Sequence, residues 1–457
     1  MIRNGLKSYR VCRRRVRDAL SARDYYGAIQ MLIAIAYVLG ITPCVVTRNA
    51  QGDATMQQSW YGFVNALSRW LLLAYCYTHI NLHNESLIGY FMRNRISQFS
   101  TRMHDIGGIM SAVFIFIVPL LLRRHLQRFI ETVMEVDLRL DRLRQPVNFN
   151  AVLGIATLVL SLVALLDSII IVTCLVCLAQ MEVRASWQLT FILVYELVAV
   201  SITIVLFCLI TRTVQRRLNY LHRVLKNLSH QWDSRSLKAV AQKQRSLQCL
   251  DSFSMYTIVT KDPAEIIQES MEIHHLICEA AATANKYFTY QLLTIISIAF
   301  LIIVFDAYYV LETLLGKSKR ESKFKTVEFV TFFSCQMILY LIAIISIVEG
   351  SNRAIKKSEK TGGIVHSLMN KTKSPEVKEK LQQFSMQLLH LKINFTAAGL
   401  FNIDRTLYFT ISGALTTYLI ILLQFTSNSP NHGNGNGGNG NYYPCCETFN
   451  NITNNTN

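Results

Sequence analysis

Thr417 and Gln424 are the polar residues whose placement says most about this sequence. They sit seven apart in the apolar stretch Ile411 to Phe425, which ends Thr417-Tyr418-Leu419-Ile420-Ile421-Leu422-Leu423-Gln424-Phe425. At 3.6 residues per helical turn the two share one face, and Ile421 lies between them on the same stripe. A thin polar stripe on a greasy helix suits a pore lining: occasional oxygens for a hydrated ion, and an apolar ring that can dewet. The same spacing also suits a polar seam that holds two helices together. Spacing alone leaves both readings open.

A second constellation is ionisable. Asp167, Glu196 and Asp306 lie inside apolar runs, where charge is costly and therefore informative. Gln336, Tyr195, Tyr308 and Tyr309 fall at similar depths. The topology argued below puts all of them in the outer half of the membrane, on four helices. Polar and aromatic groups converging at one level describe a small-molecule pocket. Taken singly, each is better explained by pairing with a neighbour or with Arg69; the set together favours a pocket. Catalytic chemistry is not indicated: there is no His-Glu-x-x-His, no Gly-x-Ser-x-Gly and no Walker-type loop. The eleven cysteines show no metal spacing, and His274-His275 point about 100° apart on a helix. No cofactor, metal or nucleic acid is expected.

The elements that must position these groups are apolar helices. The chain is 51% hydrophobic and 16% charged with a mean hydropathy of +0.28, whereas soluble domains carry about a quarter charged residues. Runs long enough to cross a bilayer core of about 30 Å fall near 59–82, 106–123, 151–177, 187–211, 289–314, 327–349 and 405–425. An eighth, Tyr25 to Val46, is interrupted by Gly40 and Pro43 and either spans or dips in and returns.

Charge decides between these. The net charge is +17, and the basic residues cluster between the apolar runs. If the first run is re-entrant and the N-terminus lies inside, about 36 Lys and Arg fall inside and about 9 outside. If it crosses, the counts become about 17 and 28. The expectation is therefore an all-α membrane protein with seven transmembrane helices, N-terminus inside and C-terminus outside. The five basic residues of the Lys317–Lys325 loop fit least well. Glycosylation sequons at Asn84, Asn451 and Asn454 fall outside, as they should. Those at Asn227, Asn370 and Asn394 fall inside and read as chance matches. A cleavable signal peptide is not expected.

The organisation follows: a cytoplasmic N-terminus with the re-entrant helix (1–58), four spans (59–211), a cytoplasmic linker (212–288), two spans (289–349), cytoplasmic anchor helices (350–404), the last span (405–425) and a disordered outer tail (426–457). Leu218, Leu221, Leu225 and Leu228 continue the fourth span as an amphipathic helix. Asp262-Pro263 starts another, with Asp262 as N-cap. Beyond Gly362-Gly363, Ser374-Pro375-Glu376 starts a third, striped by Leu381, Phe384, Leu388 and Leu391. The stretch 229–260 is less periodic and reads as a mobile loop. In the Gly- and Asn-rich tail, Cys445-Cys446 suit an extracellular disulfide.

Thr-Tyr, five apolar residues, then Gln-Phe resembles the closing signature of the insect gustatory receptors. Ala397-Ala398-Gly399-Leu400-Phe401-Asn402-Ile403-Asp404-Arg405 resembles the joint between the two halves of that family's last helix. Tyr26 to Thr47, Ser236 to Gly350 and the terminus are similar to the fly group numbered 28. The resemblance implies a tetrameric cation channel in the plasma membrane of sensory neurons, on dendrite, axon and cell body. It is anchored by a cytoplasmic bundle and lined by the last helix, with Thr417, Ile421, Gln424 and Phe425 at the pore. A tastant would bind among the outer helix halves, at Asp167, Tyr195, Glu196, Asp306, Tyr309 and Gln336. The permeant ions would be cations, and the assembly a homotetramer or a heteromer with other gustatory receptors. The family responds to sugars, bitter compounds or carbon dioxide, and the 28 group also to warmth and light. Sugar-type members tend to carry an acidic residue after Thr-Tyr; Leu419 stands there. A G-protein-coupled-type receptor would place this basic N-terminus outside, and the Asp-Arg-Tyr cue usual for that class after the third span is missing from this sequence. A secondary transporter would show related halves with broken helices in matching positions.

Overall fold

The computed structural model describes residues 22, 24–48, 54–88, 95–180, 185–244, 262–315 and 326–427. The loop at 317–325 and the tail with Cys445, Cys446, Asn451 and Asn454 lie outside the described residues.

Each apolar run contains a helix. α1, Tyr25–Val38, is capped by Asp24, whose carboxylate accepts from the Gly27 amide. Its fourteen residues reach about 21 Å, short of the hydrocarbon core. The chain turns at Gly40, where φ is +72°, a left-handed conformation that glycine adopts without strain. Ile41 follows, and then an antiparallel hairpin, β1 Cys44–Arg48 with β2 Ala54–Gln58, paired Cys44 to Gln58. Gly62 in the next helix lets Pro43 approach, since a Cβ there would sit 2.7 Å from the Pro43 carbonyl oxygen. The first run thus folds back on itself.

Six helices among the described residues are long and apolar enough to cross a membrane by length and composition. α2, Trp60–His83, is a helix at the first expected span but is less apolar than these six. Asn65, Ser68 and Arg69 dilute it, but protein partners satisfy them. Asn65 donates to the Tyr37 carbonyl at 2.7 Å, and Arg69 donates to Asn65.

α3, Arg95–Ala112, continues through a π-helical turn, Val113–Ile117, and a last turn, Val118–Leu121. Pro119 explains the irregularity: it lacks an N–H, and its ring clashes with the carbonyl four residues back. α4, Arg123–Arg142, is amphipathic; α5, Phe149–Gln180, is mostly apolar, with Asp167 its one charged residue. α6, Trp187–Gln244, is a single helix, so residues 229–244 are helical rather than loop. α7, Pro263–Leu314, starts where the Asp262 carboxylate accepts from the Ala264 amide. It is the central post, packed against α3, α4 and α6 and the three later helices. α8, Thr326–Lys371, passes straight through Gly362 and Gly363, and α9, Pro375–His390, follows. A second small hairpin, β3 Thr396–Ala397 with β4 Phe401–Asn402, turns through Ala398 and Gly399 at φ 51° and 73°. α10, Thr406–Ser427, ends the described chain. The two hairpins are small departures from an otherwise all-helical fold.

Candidate functional site

A cavity of about 200 Å³ opens between α5, α6, α7 and α8, and Asp167, Glu196 and Gln336 line it. A smaller one of about 60 Å³ adjoins it. The two share Gln336 and His104, and the smaller is lined by Asp306 and Tyr77. Four of the six residues expected to form a pocket therefore meet at one place.

Each carboxylate is held differently. Glu196 accepts from the Tyr77 hydroxyl at 2.6 Å, and Asp167 accepts from the Ser201 hydroxyl at 2.9 Å. Asp306 is buried, and its Oδ2 has no hydrogen-bond partner among the described residues. Burying such a group without a partner costs about 1–3 kcal/mol, a cost that a bound polar molecule would offset. Arg69 pairs with none of them: among the described residues its side-chain partner is Asn65.

Tyr195 and Tyr309 correct the expectation. Tyr195 turns away from the cavity, donates to the Leu39 carbonyl and stacks on Phe116 and Phe191 with ring centroids 5.6 and 5.1 Å away. It clamps the re-entrant segment onto α6. Tyr309 is fully buried against Tyr308 and Phe333, beside the cavity wall rather than in it. Facing a lumen and facing a neighbouring helix differ by a rotation that depth along the helix does not reveal.

Tyr77, Gly108 and Ser201 carried no signal. A Cβ on Gly108 would lie 1.9 Å from the Tyr77 hydroxyl oxygen. Only glycine at 108 lets Tyr77 reach Glu196, so α3 holds the α2–α6 contact by what it lacks.

Below this level Arg217 makes two hydrogen bonds to Asp137, at 2.9 and 2.7 Å, and lies 4.9 Å from the Tyr25 ring centroid. Burial pushes the Asp137 carboxyl up, and the adjacent guanidinium opposes that shift. This pair joins α1, α4 and α6. It too escaped sequence reading, because its members stand eighty residues apart.

α10 stands apart. Only 6% of its apolar window is buried, against 61% for α7. Thr417, Ile421 and Gln424 are exposed along one face, and Gly413, a turn before Thr417, adds to it. The Thr417 hydroxyl donates to the Gly413 carbonyl at 3.0 Å. Its only proton is then used, and acceptor lone pairs remain for a cation. Tyr418 packs edge-on to Phe300 of α7, 6.0 Å between centroids. Phe425 continues the helix. At the foot, Arg405 donates to Glu349 of α8 at 2.8 Å, tying α10 to the end of another span. Asn84 is exposed at the end of α2 in a left-handed conformation.

A carboxylate-lined cavity inside a bundle of membrane-length helices describes a multi-pass membrane protein with an internal site. The chain belongs to the 7tm chemosensory receptor family, whose model matches residues 29–429. It is 59% identical to gustatory receptor 28b of Drosophila melanogaster over 97% of this chain and 94% of that one. Gustatory receptor 28a of the same fly is 32% identical over 88% and 92%. Among solved structures, the insect olfactory receptor OR5 from Machilis hrabei is similar in fold, with a TM-score of 0.59 at 14% identity. That match covers 87% of this chain and 97% of OR5. Its complex with eugenol matches with a TM-score of 0.56 at 13% identity, over 88% of this chain and 100% of that one.

Proposed function

We propose that this chemosensory receptor is itself a ligand-gated, weakly selective cation channel. Four copies of α10 surround a common axis, each contributing Thr417, Ile421, Gln424 and Phe425. Ile421 and Gln424 form the narrow outer gate. The observation that carries this reading is the exposed face of α10: among the described residues, Thr417, Ile421 and Gln424 all lie exposed along it. The stripe holds no acidic ring, which suits monovalent cations with some calcium.

The cavity around Asp167, Glu196, Asp306 and Gln336 receives the stimulus, a small molecule entering from the outside. A similar fold has been solved with eugenol. Binding opens the pore only through better contacts in the open state than in the closed one. Leu419, where sugar-type members tend to carry an acid, favours a bitter or other non-sugar compound; the kinship with the 28 group adds warmth and light as stimuli. The N-terminus and the α9 bundle face the cytoplasm of a sensory neuron.

Ile421→Ser tests the pore. An apolar ring that wets more easily should raise basal current, at least severalfold in patch recordings. Unchanged leak together with unchanged permeability ratios would remove α10 from the conduction path. Expressing the chain alone, while chemicals, temperature and light are varied, identifies the stimulus and shows whether a homomer suffices.

A further inference from the structure

Beyond the membrane, α6 and α8 run side by side in the same direction. A Cβ on Gly350 would lie 3.0 Å from the Thr211 hydroxyl. His222 Nε2 and Thr361 Oγ1 are 2.8 Å apart, and Lys371 donates to Ser229 at 3.0 Å. Between these rungs the two helices bring four basic residues together. Arg223 and Lys226 come from α6, Lys357 and Lys360 from α8. The charges of Lys360, Lys226 and Arg223 all act on the Lys357 ammonium. Lys357 is half-buried, and the other three are exposed.

None of the four forms an ion pair among the described residues. Elsewhere the fold does compensate its arginines: Arg217 with Asp137, and Arg353 and Arg405 with Glu349. Glu359, the nearest acid on α8, is one position from Lys360 and two from Lys357, spacings at which helical side chains do not face each other. Like charges gathered on two helices and left unneutralised oppose the packing that gathers them. A polyanion would relieve that repulsion and brace the two helices.

Depth narrows the choice. The span within α8 ends near Glu349, so Lys357 and Lys360 begin about 12 and 16 Å further on. The interfacial layer of a bilayer is only about 5–8 Å deep. The phosphate of an ordinary phospholipid lies too shallow. A headgroup with phosphates carried outward on a ring reaches the upturned lysine side chains, as does a soluble polyphosphate. We infer that Arg223, Lys226, Lys357 and Lys360 form a binding site for a multiply phosphorylated anion, a lipid headgroup or its soluble counterpart. Because α8 also carries Glu349, the partner of Arg405 at the foot of α10, occupancy braces the support on which α10 stands.

The test uses the full chain in nanodiscs. Wild type should bind water-soluble short-chain phosphatidylinositol 4,5-bisphosphate more tightly than short-chain phosphatidylserine, or should bind inositol hexakisphosphate; binding neither overturns the site. The first result assigns a lipid source and the second a soluble one. The double variant Lys357→Gln/Lys360→Gln should lose about tenfold or more in affinity for that probe. Lys357→Arg/Lys360→Arg should retain binding, which separates charge from folding. Lys373→Gln/Lys378→Gln, basic residues outside the cluster, should change nothing. Equal binding by wild type and the glutamine variant overturns the site. So does binding that follows net charge alone, with phosphatidylserine equal to the bisphosphate and every variant losing alike.

Discussion

Glu196 illustrates how this receptor treats a charged group at membrane depth. Its carboxylate is tied down by one hydroxyl, Tyr77, which in turn depends on the missing side chain of Gly108. Tyr77→Phe and Gly108→Ala should therefore act alike, although only the first residue touches Glu196. Each removes one hydrogen bond worth about 1–3 kcal/mol. The concentration for half-maximal response should shift by about tenfold with surface expression kept, as dose–response recordings with surface labelling would show. Loss of folded protein instead would make Glu196 a packing residue. Asp137 and Arg217 behave differently, because both charges are buried. Asp137→Asn or Arg217→Met alone leaves an unpaired partner and should cost about 3–5 kcal/mol. The double variant should recover much of that loss in the thermal stability of the solubilised protein.

At the scale of elements, the joint between α9 and α10 is where support meets the terminal helix. Thr289 of α7 donates to the Thr396 carbonyl at 3.2 Å and accepts from the Ala398 amide at 2.7 Å. One hydroxyl thus holds the β3–β4 turn, in which Ala398 and Gly399 both adopt left-handed backbone. The isosteric Thr289→Val removes both bonds and leaves the half-buried Ala398 amide without this partner, at a cost of about 1 kcal/mol. The expected outcome is altered basal current with little change in ligand affinity. A shift of affinity alone would detach this joint from gating. Asn285 reinforces the joint, accepting from the Thr396 amide at 3.0 Å.

For the whole molecule the decisive property is the contrast between a buried α7 and an uncovered α10. A helix this exposed meets either lipid or other copies of itself. On the proposed channel reading, the face carrying Thr417, Ile421 and Gln424 lies against water and other copies, and the Leu-rich faces against apolar neighbours. The distribution of basic residues favours an orientation with Asn84 outside. On that orientation Asn84→Gln should abolish a glycosidase-sensitive mass shift on gels of cell-expressed protein. A shift that persists and maps to Asn227, Asn370 or Asn394 would invert the topology.

The sequence by itself determined the apolar helices, their order and the terminal motif, but not α4 or the cytoplasmic end of α6 over residues 229–244. A bilayer forces every backbone polar group into local pairing, so length and apolarity mark the spans. Asp262-Pro263 and Ser374-Pro375 mark helix starts because caps and Pro act within one turn. Asp167, Glu196, Asp306 and Gln336 were legible for a related reason: polarity inside an apolar run is expensive wherever it points. Only the tertiary structure decided which way each one points. Tyr195 and Tyr309 sit at suitable depths yet face protein. Tyr77, Gly108 and Ser201 complete the cavity with no trace in the chain, and Asp137 finds Arg217 across two helices. Contacts between distant segments depend on helix rotation and packing distance, which a one-dimensional pattern does not encode.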